Sequence, residues 1–285
     1  MNQPVIYAVA AMLCYGISDF VYKRAAAAAV RSDHFLMAQA WFFLPLAVVY
    51  ALATHTLVPD AASLWGCLAG IFAFVGFYFF SRSLAAGAIS TNAAIFRMNF
   101  IVTVFLVVAL LGEPFTPGKI AGLVLALLAT WLLLATRSNP HQGSGEARRR
   151  SIVQVTVATL AFGASNFFHT VGLRHGAVPE TLVVAQTALF MPLATGVVYL
   201  ADRELRPSPV TFKYGAVTAT LLVAATVFLL NGIAGGQASV LVPIAQMGFI
   251  VAALLGIVIL RERMTGRKAI GLLSALTALA VLVGT

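Results

Sequence analysis

The chain has 285 residues, of which 61% are hydrophobic and 9% charged, and its net charge is +9. A soluble domain is about half apolar and a quarter charged, so this composition excludes an ordinary soluble domain and indicates an integral membrane protein. At about 20 residues per crossing, the chain accommodates roughly ten transmembrane helices and no sizeable soluble domain.

Ten apolar stretches follow one another along the chain, and each is predicted to be a transmembrane helix. They are Val5–Val21, Phe35–Leu52, Leu64–Phe80, Ile89–Leu111, Ile120–Ala135, Ile152–Val171, Thr181–Leu200, Tyr214–Leu230, Val240–Leu260 and Ala269–Val283. A long polar run containing Gly, Ser and Pro separates the fifth stretch from the sixth. We therefore predict a first repeat unit at residues 1–136, a linker at 137–151 and a second unit at 152–285.

The two predicted units repeat one another in sequence. Gly87–Leu123 aligns with Gly236–Leu272 at an offset of 149 residues, and the first two spans of each unit align at an offset of 147. The aligned pairs include Met98 with Met247, Glu113 with Glu262, Lys119 with Lys268, Gly122 with Gly271, and Gln39 with Gln186. A second copy of a five-span unit enters the membrane from the opposite side. The predicted fold is thus all-α, with ten transmembrane helices as two inverted five-helix repeats, the plan of many secondary transporters.

The basic residues lie in short clusters at span ends. Fifteen of the 18 Lys and Arg residues fall in the odd-numbered connections between spans. The positive-inside rule then predicts cytoplasmic odd-numbered connections and both termini outside the cell. Such clusters are typical of contacts with acidic lipid headgroups, so the bilayer is an expected partner and nucleic acid is not.

Polar side chains at bilayer depth are costly, and they usually face the bundle interior or a cavity. In the first span, Tyr15 and Asp19 lie on one helical face, and Asn166 and His169 lie on the matching face of the sixth span. Arg97 is the one basic residue well inside a span. Asp19 is its candidate partner when no solute is bound, if the first and fourth spans adjoin, and its guanidinium also suits an anionic solute group. The candidate substrate-binding residues are Arg97, Asp19, Tyr15, Tyr78, Asn166, His169 and Gln246.

Other readings of these residues stay open at this point. Asp19 is four residues before Lys23 and suits an interfacial ion pair. Asn166 and Gln246 suit hydrogen bonds between helices, and His169 suits a helix cap. Tyr78 belongs to an aromatic run that is typical of packing.

The sequence contains no pattern typical of a catalytic, metal-binding or cofactor-binding site. We therefore expect no enzyme activity, no metal and no cofactor. Cys14 and Cys67 lie within apolar spans without a metal-ligand spacing. Histidines near loops, among them His34, are expected to be solvated, and the matched acids Glu113 and Glu262 are expected to be structural.

The segment Ser83–Leu134 combines small residues before the fourth span, an LLGE turn at Leu110–Glu113 and a helix containing Gly122. It resembles a repeat of the EamA-like family in the drug/metabolite transporter superfamily. The resemblance implies ten helices from two five-helix repeats, with helices one, three, four, six, eight and nine lining a cavity and helices five and ten outside. It also implies cytoplasmic termini, opposite to the charge distribution, and a proline where this chain has Asn99.

These observations predict a multi-pass secondary transporter of the inner or plasma membrane. It would move a small organic metabolite, amino acid-like or another small solute, by alternating access, with export as the expected direction. Protons are the expected coupling ion, with Asp19 or His169 as the titrating group. The alternatives are a membrane-embedded enzyme, a flippase for lipid-linked substrates, and a structural membrane protein without transport activity.

Overall fold

The computed structural model describes residues 2–28, 30–86, 89–134, 145–261 and 264–285, and all regular secondary structure in these ranges is α-helical. The helices are α1 (Gln3–Ala27), α2 (Ser32–Ala53), α3 (Leu64–Ala86), α4 (Ile89–Arg97), α5 (Asn99–Leu111), α6 (Pro117–Leu134), α7 (Gly145–Arg174), α8 (Pro179–Asp202), α9 (Pro209–Ala234), α10 (Ala238–Gln246), α11 (Phe249–Leu260) and α12 (Gly266–Val283).

Every predicted span corresponds to a helical segment. Within the described ranges, nine segments are long and apolar enough to cross a membrane, and a further one, Pro117–Leu133, is apolar but shorter. The predicted all-helical membrane protein is confirmed at this level.

The fourth and ninth predicted spans differ from the prediction, because each contains a break. The predicted spans Ile89–Leu111 and Val240–Leu260 are each two helices, because α4 gives way to α5 after Arg97 and α10 gives way to α11 after Gln246. Broken helices at bilayer depth are common in transporters, where they leave backbone groups free beside a site.

Met98 and Met247, which are repeat mates, mark the two breaks. The amide of each donates to the carbonyl three residues earlier, and its own carbonyl accepts from the amide three residues later, at 2.9–3.1 Å. This tighter pattern interrupts the α-helical ladder and leaves carbonyls without their usual partners. Asn99 supplies one replacement, since its side-chain amide donates to the Phe96 carbonyl at 2.8 Å. Neither break contains the proline that marks such a site in a sequence, so neither was predicted.

Most packing in the core joins one half of the chain to the other. One pair of contacts joins α1 to α9 and α3 to α7. A second pair joins α2 to α9 and α3 to α8. These contacts form matched pairs under the repeat, because α1, α2 and α3 are the mates of α7, α8 and α9. The two halves are therefore interleaved, and the space between them is bounded by both.

Two glycines make close crossings between the halves at the helix breaks. A Cβ on Gly16 of α1 would lie 2.4 Å from the carbonyl oxygen of Gly248, at the break between α10 and α11. Its repeat mate Gly163 on α7 meets the other break, where a Cβ would lie 2.8 Å from the Asn99 carbonyl oxygen. No other side chain is small enough for these crossings.

The helices α6 and α12 pack against each other at the edge of the bundle. Gly122 faces Leu282 and Gly271 faces Leu133, which again are repeat-related contacts. Large apolar side chains on the opposite faces of both helices are exposed and suit contact with lipid: Val124, Leu128, Trp131, Ile270, Leu273 and Leu276. This arrangement agrees with the expectation that spans five and ten lie outside the cavity.

The predicted linker is shorter than its polar sequence indicates. α7 begins at Gly145, so residues 145–151 are helical, and residues 137–144 lie outside the described ranges. Ser151 is buried, and its hydroxyl donates to the Ser83 carbonyl at 3.0 Å. A polar residue at this helix start is held by a specific contact to α3, which composition alone does not reveal.

Candidate functional site

A central cavity lies between the two halves of the bundle. Its volume is about 70 Å³, and it is partly open to solvent. Helices α1, α2, α3, α7, α8 and α9 contribute its lining residues, which are Tyr15, Gln39, Ala40, Phe43, Phe77, Phe162, Ser165, Asn166, His169, Gln186, Thr187, Phe190, Leu222, Thr226 and Leu229. An apolar lining with a few converging polar groups is typical of a small-molecule site.

Aromatic rings form one wall of the central cavity. Phe77 meets Phe162 at a centroid distance of 5.1 Å and Phe190 at 6.1 Å, both in edge-to-face geometry. Phe43 also lines the cavity from α2. Rings held edge to face leave flat apolar surfaces against which another ring can stack.

Three lining residues have buried polar atoms that make no hydrogen bond to the described protein. They are Asn166 Nδ2, His169 Nε2 and Gln186 Oε1. Asn166 and His169 are 6% and 4% exposed and lie one turn apart on α7, and the His169 ring lies beside the Gln186 amide of α8. Because buried polar groups are nearly always partnered, the cavity offers hydrogen-bonding capacity that the protein itself does not use.

A buried ion pair lies near the central cavity, between α1 and the end of α4. Arg97 Nη2 donates to Asp19 Oδ1, and Arg97 Nη1 donates to Gln246 Oε1 at 3.4 Å. The two charged side chains are 20% and 21% exposed. Arg97 and Gln246 end α4 and α10, where the helix dipoles favour a positive charge. The guanidinium is therefore held by a carboxylate, an amide and two helix ends.

Hydroxyl contacts connect the ion pair region with the cavity wall. Tyr15 lies one helical turn before Asp19 on the same face of α1. Its hydroxyl is 3.5 Å from Thr226 Oγ1 of α9, and both residues line the cavity. Tyr22, the next residue of that face, donates its hydroxyl to Gln39 Oε1. The polar face of α1 is thus fully engaged with α4, α2 and α9.

The structure brings the predicted site residues into two groups and leaves one apart. Tyr15, Asn166 and His169 line the central cavity, and Asp19, Arg97 and Gln246 form the neighbouring ion-pair cluster. Tyr78 is in neither group. Its hydroxyl accepts from Arg82 at 2.6 Å, and its ring packs on Phe74 and Phe79.

The expected set of cavity helices needs correction. Spans two and seven, which are α2 and α8, contribute Gln39 and Gln186, whereas no described residue of spans four and nine lines the central cavity. The breaks turn the polar ends of α4 and α10 toward α1, so these spans contribute to the ion pair instead. Gln39 and Gln186 occupy the same position in both repeats, and that match of two mid-span amides was the available signal.

Glu113, at the LLGE turn, has a structural role that agrees with its predicted assignment. Its carboxylate accepts from the backbone amides of Ala238 at 3.1 Å and Ser239 at 2.8 Å, at the start of α10. Arg174 donates to it at 3.2 Å from α7. Glu113 therefore caps a helix of the other half. Its repeat mate Glu262 lies outside the described residues.

Lys119 reinforces the same junction. It is 1% exposed, and its Nζ donates to the Pro114 carbonyl at 2.7 Å, to Ser239 Oγ at 2.8 Å and to Gln237 Oε1. The buried ammonium is thus fully partnered. The matched Glu and Lys of the repeat motif hold the start of a broken helix in place.

A second charged cluster joins the ends of α2 and α8. His34 Nε2 lies 2.7 Å from Asp202 Oδ2, and Arg31 bridges Asp33 at 2.6 Å and Asp202 at 2.8 Å. The prediction of a solvated His34 is wrong, because its side chain is only 14% exposed. The hydrogen bond to Asp33 raises the pKa of the Arg31 guanidinium. Among the described residues, Asp33, His34 and Asp202 are close enough to share a cation, but Arg31 already supplies their positive charge.

Comparisons with known proteins agree with this architecture. The model of the EamA-like transporter family matches residues 2–135. A solved structure described as "Crystal structure of protein" is similar to this chain with a TM-score of 0.81 and 16% identity, over 98% of this chain and 95% of that one. At this identity the likeness concerns the fold alone. No curated protein sequence matches the chain. The matched residues contain the LLGE turn at Leu110–Glu113, so the first half of the chain is similar to the EamA-like transporter family.

Proposed function

We propose that this chain is a secondary transporter that moves a small organic solute across the membrane by alternating access. The observation that carries the proposal is the central cavity between the two halves, with unpartnered Asn166, His169 and Gln186 groups inside it. A structural membrane protein has no use for buried polar groups that remain unsatisfied. The family match supports membrane transport of small solutes.

Alternating access fits the way the two halves are built. We propose that they are inverted repeats, since each carries five spans and the contacts between them come in repeat-related pairs. In such transporters, one half rocks against the other around a fixed central site. The glycine crossings at Gly16 and Gly163 are narrow and lie at the helix breaks, and they are the proposed pivots.

We propose Asp19 as the proton-coupling group. As a carboxylate it neutralises Arg97 inside the bundle, and a proton on Asp19 would end that pairing. Arg97 would then need another partner, and an exchange of partners is a way to link protonation to a change of packing. His169 is the alternative titrating group, because it lines the cavity directly.

The proposed solute site comprises Tyr15, Asn166 and His169 of the predicted residues, together with Gln39 and Gln186. Arg97, Asp19 and Gln246 are proposed to act beside it, as the coupling cluster. Tyr78 is left out because its hydroxyl is engaged by Arg82. We further propose the plasma or inner membrane as the location and export as the direction of transport.

The experiment is solute flux into proteoliposomes, measured with labelled tryptophan, benzoate and benzamide, with and without an imposed pH gradient. The blocking variant is Ala40→Phe, because Ala40 is 2% exposed and lines the cavity. Leu222→Trp is a second blocking variant, and Ala53→Phe on the exposed end of α2 is the control. We expect saturable flux that both blocking variants abolish. Flux that continues unchanged in both folded variants would exclude the cavity as the transport path.

A further inference from the structure

The polar residues of the two halves are matched in position but not in partnership. In the first half, Asp19 pairs with Arg97, and Tyr22 donates to Gln39. The repeat mates of Asp19, Tyr22 and Gln39 in the second half are Asn166, His169 and Gln186, three cavity-lining residues that each have a buried polar atom without a hydrogen bond. Asp19, Tyr22 and Gln39 thus have hydrogen-bond partners within their own half, whereas Asn166 Nδ2, His169 Nε2 and Gln186 Oε1 make no hydrogen bond, and their residues line the cavity.

We propose that the second half holds an uncharged, flat solute with an amide-like group, in which a hydrogen-bond donor and an acceptor lie side by side. This inference rests on the proposed transport function and names its solute class. Asn166 Nδ2 needs an acceptor and Gln186 Oε1 needs a donor. A carbonyl and an N–H group on one solute satisfy both. His169 Nε2 accepts or donates according to its tautomer, so it fits either end of the amide.

Charge in the cavity argues against ionic solutes. No Lys, Arg, Asp or Glu is among the described residues that line it. Arg97, which ends α4 beside α1, is already paired with Asp19. A carboxylate solute would have no donor for Gln186, and an ammonium solute would have no acceptor for Asn166. Either would also bury a charge without a counter-charge, which is costly.

The aromatic wall accounts for the flat part of the solute. Phe77, Phe162 and Phe190 stand edge to face on the α3, α7 and α8 side of the cavity. Asn166 follows Phe162 by one turn of α7, and Gln186 precedes Phe190 by one turn of α8. A ring stacked at the phenylalanines would therefore place its polar substituent beside the two amides.

The test uses ligand-observed NMR titration of the purified full chain with four probes of one ring size. Benzamide carries both a donor and an acceptor, N,N-dimethylbenzamide only an acceptor, benzoate a negative charge and benzylammonium a positive charge. We expect benzamide to bind at least about tenfold more tightly than each of the others, since each leaves a buried group unpaired. Equal or tighter binding of benzoate or benzylammonium overturns the proposal, as does the absence of benzamide binding.

Substitutions test whether the Asn166 and Gln186 amides cause the preference for benzamide. Gln186→Met and Asn166→Leu remove the two amides at similar volume, and each should reduce benzamide affinity about tenfold. The control is Gln154→Met, because the Gln154 oxygen is also buried without a partner but Gln154 does not line the cavity. Unchanged affinity in folded Gln186→Met and Asn166→Leu proteins, or an equal loss in Gln154→Met, contradicts the assignment.

The outcomes separate this inference from the proposed function. Benzoate flux that disappears in Ala40→Phe, together with no preference for benzamide, rejects the solute class and leaves transport through the cavity in place. Flux that survives both blocking variants rejects the transport path itself.

Discussion

Neutralising Asp19 leaves the charge of Arg97 alone inside the bundle. The two side chains are about four-fifths buried, and the remaining partner of the guanidinium is the Gln246 oxygen at 3.4 Å. Removing one member of a buried ion pair typically costs about 3–5 kcal/mol. Because the pair is partly exposed and Gln246 stays in contact, we expect Asp19→Asn to lower the free energy of unfolding by about 3 kcal/mol, the lower end of that range.

The double variant Asp19→Asn with Arg97→Gln separates stability from function. It carries no buried charge, so we expect its free energy of unfolding to return to within about 1 kcal/mol of the wild type. Transport should remain lost, because both charged members of the coupling cluster are gone. Arg97→Lys, which keeps the charge and loses the planar fork, should also insert and purify without transporting.

Unfolding in detergent and flux into proteoliposomes measure the two effects on the same preparations. An active double variant would show that the pair is only a structural counter-ion arrangement. A wild-type unfolding free energy for Asp19→Asn would refute the stabilising role of the contact itself.

Three further predictions concern the scaffold. Glu113→Gln should lower the unfolding free energy by about 1.5–3 kcal/mol, because a side-chain amide cannot accept from both α10 N–H groups. The control, Glu204→Gln at an exposed position, should change it little. Loss of benzamide binding by folded Glu113→Gln would contradict the structural role of Glu113. Gly16→Ala should markedly lower the thermal unfolding temperature, because its Cβ would lie 2.4 Å from a carbonyl oxygen. Gly196→Ala, which has open space around it, should not. Equal effects of the two substitutions would refute the close contact at Gly16. A periplasm-active reporter fused after Thr285 should be active, as the basic residues predict, and an inactive one would restore the orientation that the family implies.

The sequence predicted the elements of this fold well because each depends on local composition. Ten apolar stretches gave ten helical segments, and the matched Glu, Lys and Gly positions identified the repeat. The pairing of Asp19 with Arg97 was also accessible, since opposite charges deep in two spans must find partners. The breaks at Met98 and Met247 were not, because they depend on backbone hydrogen-bond spacing, which neither composition nor periodicity reveals.

The cavity lining was harder to predict than the fold. Which helix faces the cavity depends on how the halves interleave, and that is a matter of long-range packing rather than periodicity. Gln39 and Gln186 were recognised as repeat mates but not as lining residues, although a buried amide in each copy has to find a partner or a cavity. Tyr78, in contrast, was predicted as a site residue but does not line the cavity. Its hydroxyl accepts a hydrogen bond from Arg82 of the same helix.

Under the proposed alternating-access mechanism, the unequal polar partnerships would also affect the balance between the two access states. If the two halves of an inverted repeat were identical, each half would adopt in one access state the conformation that the other half adopts in the second state. The two states would then have equal free energies. Here the ion pair belongs to one half alone, so the proposed mechanism predicts that the state with Arg97 on Asp19 is favoured over the other. Each 1.4 kcal/mol of such preference is a tenfold difference in population, and a solute or proton shifts it only by binding the two states unequally.

Removing the pair should therefore bring the two populations closer. We expect this in a Cys14→Ser, Cys67→Ser background with Ala40→Cys as the only thiol, at the cavity lining. An impermeant maleimide should label that thiol mainly from one side of the membrane when Asp19 and Arg97 are intact. In the Asp19→Asn, Arg97→Gln background, the labelling rates from the two sides should become more nearly equal. An unchanged ratio would show that the ion pair does not distinguish the two states, and its role in coupling would then have to be abandoned.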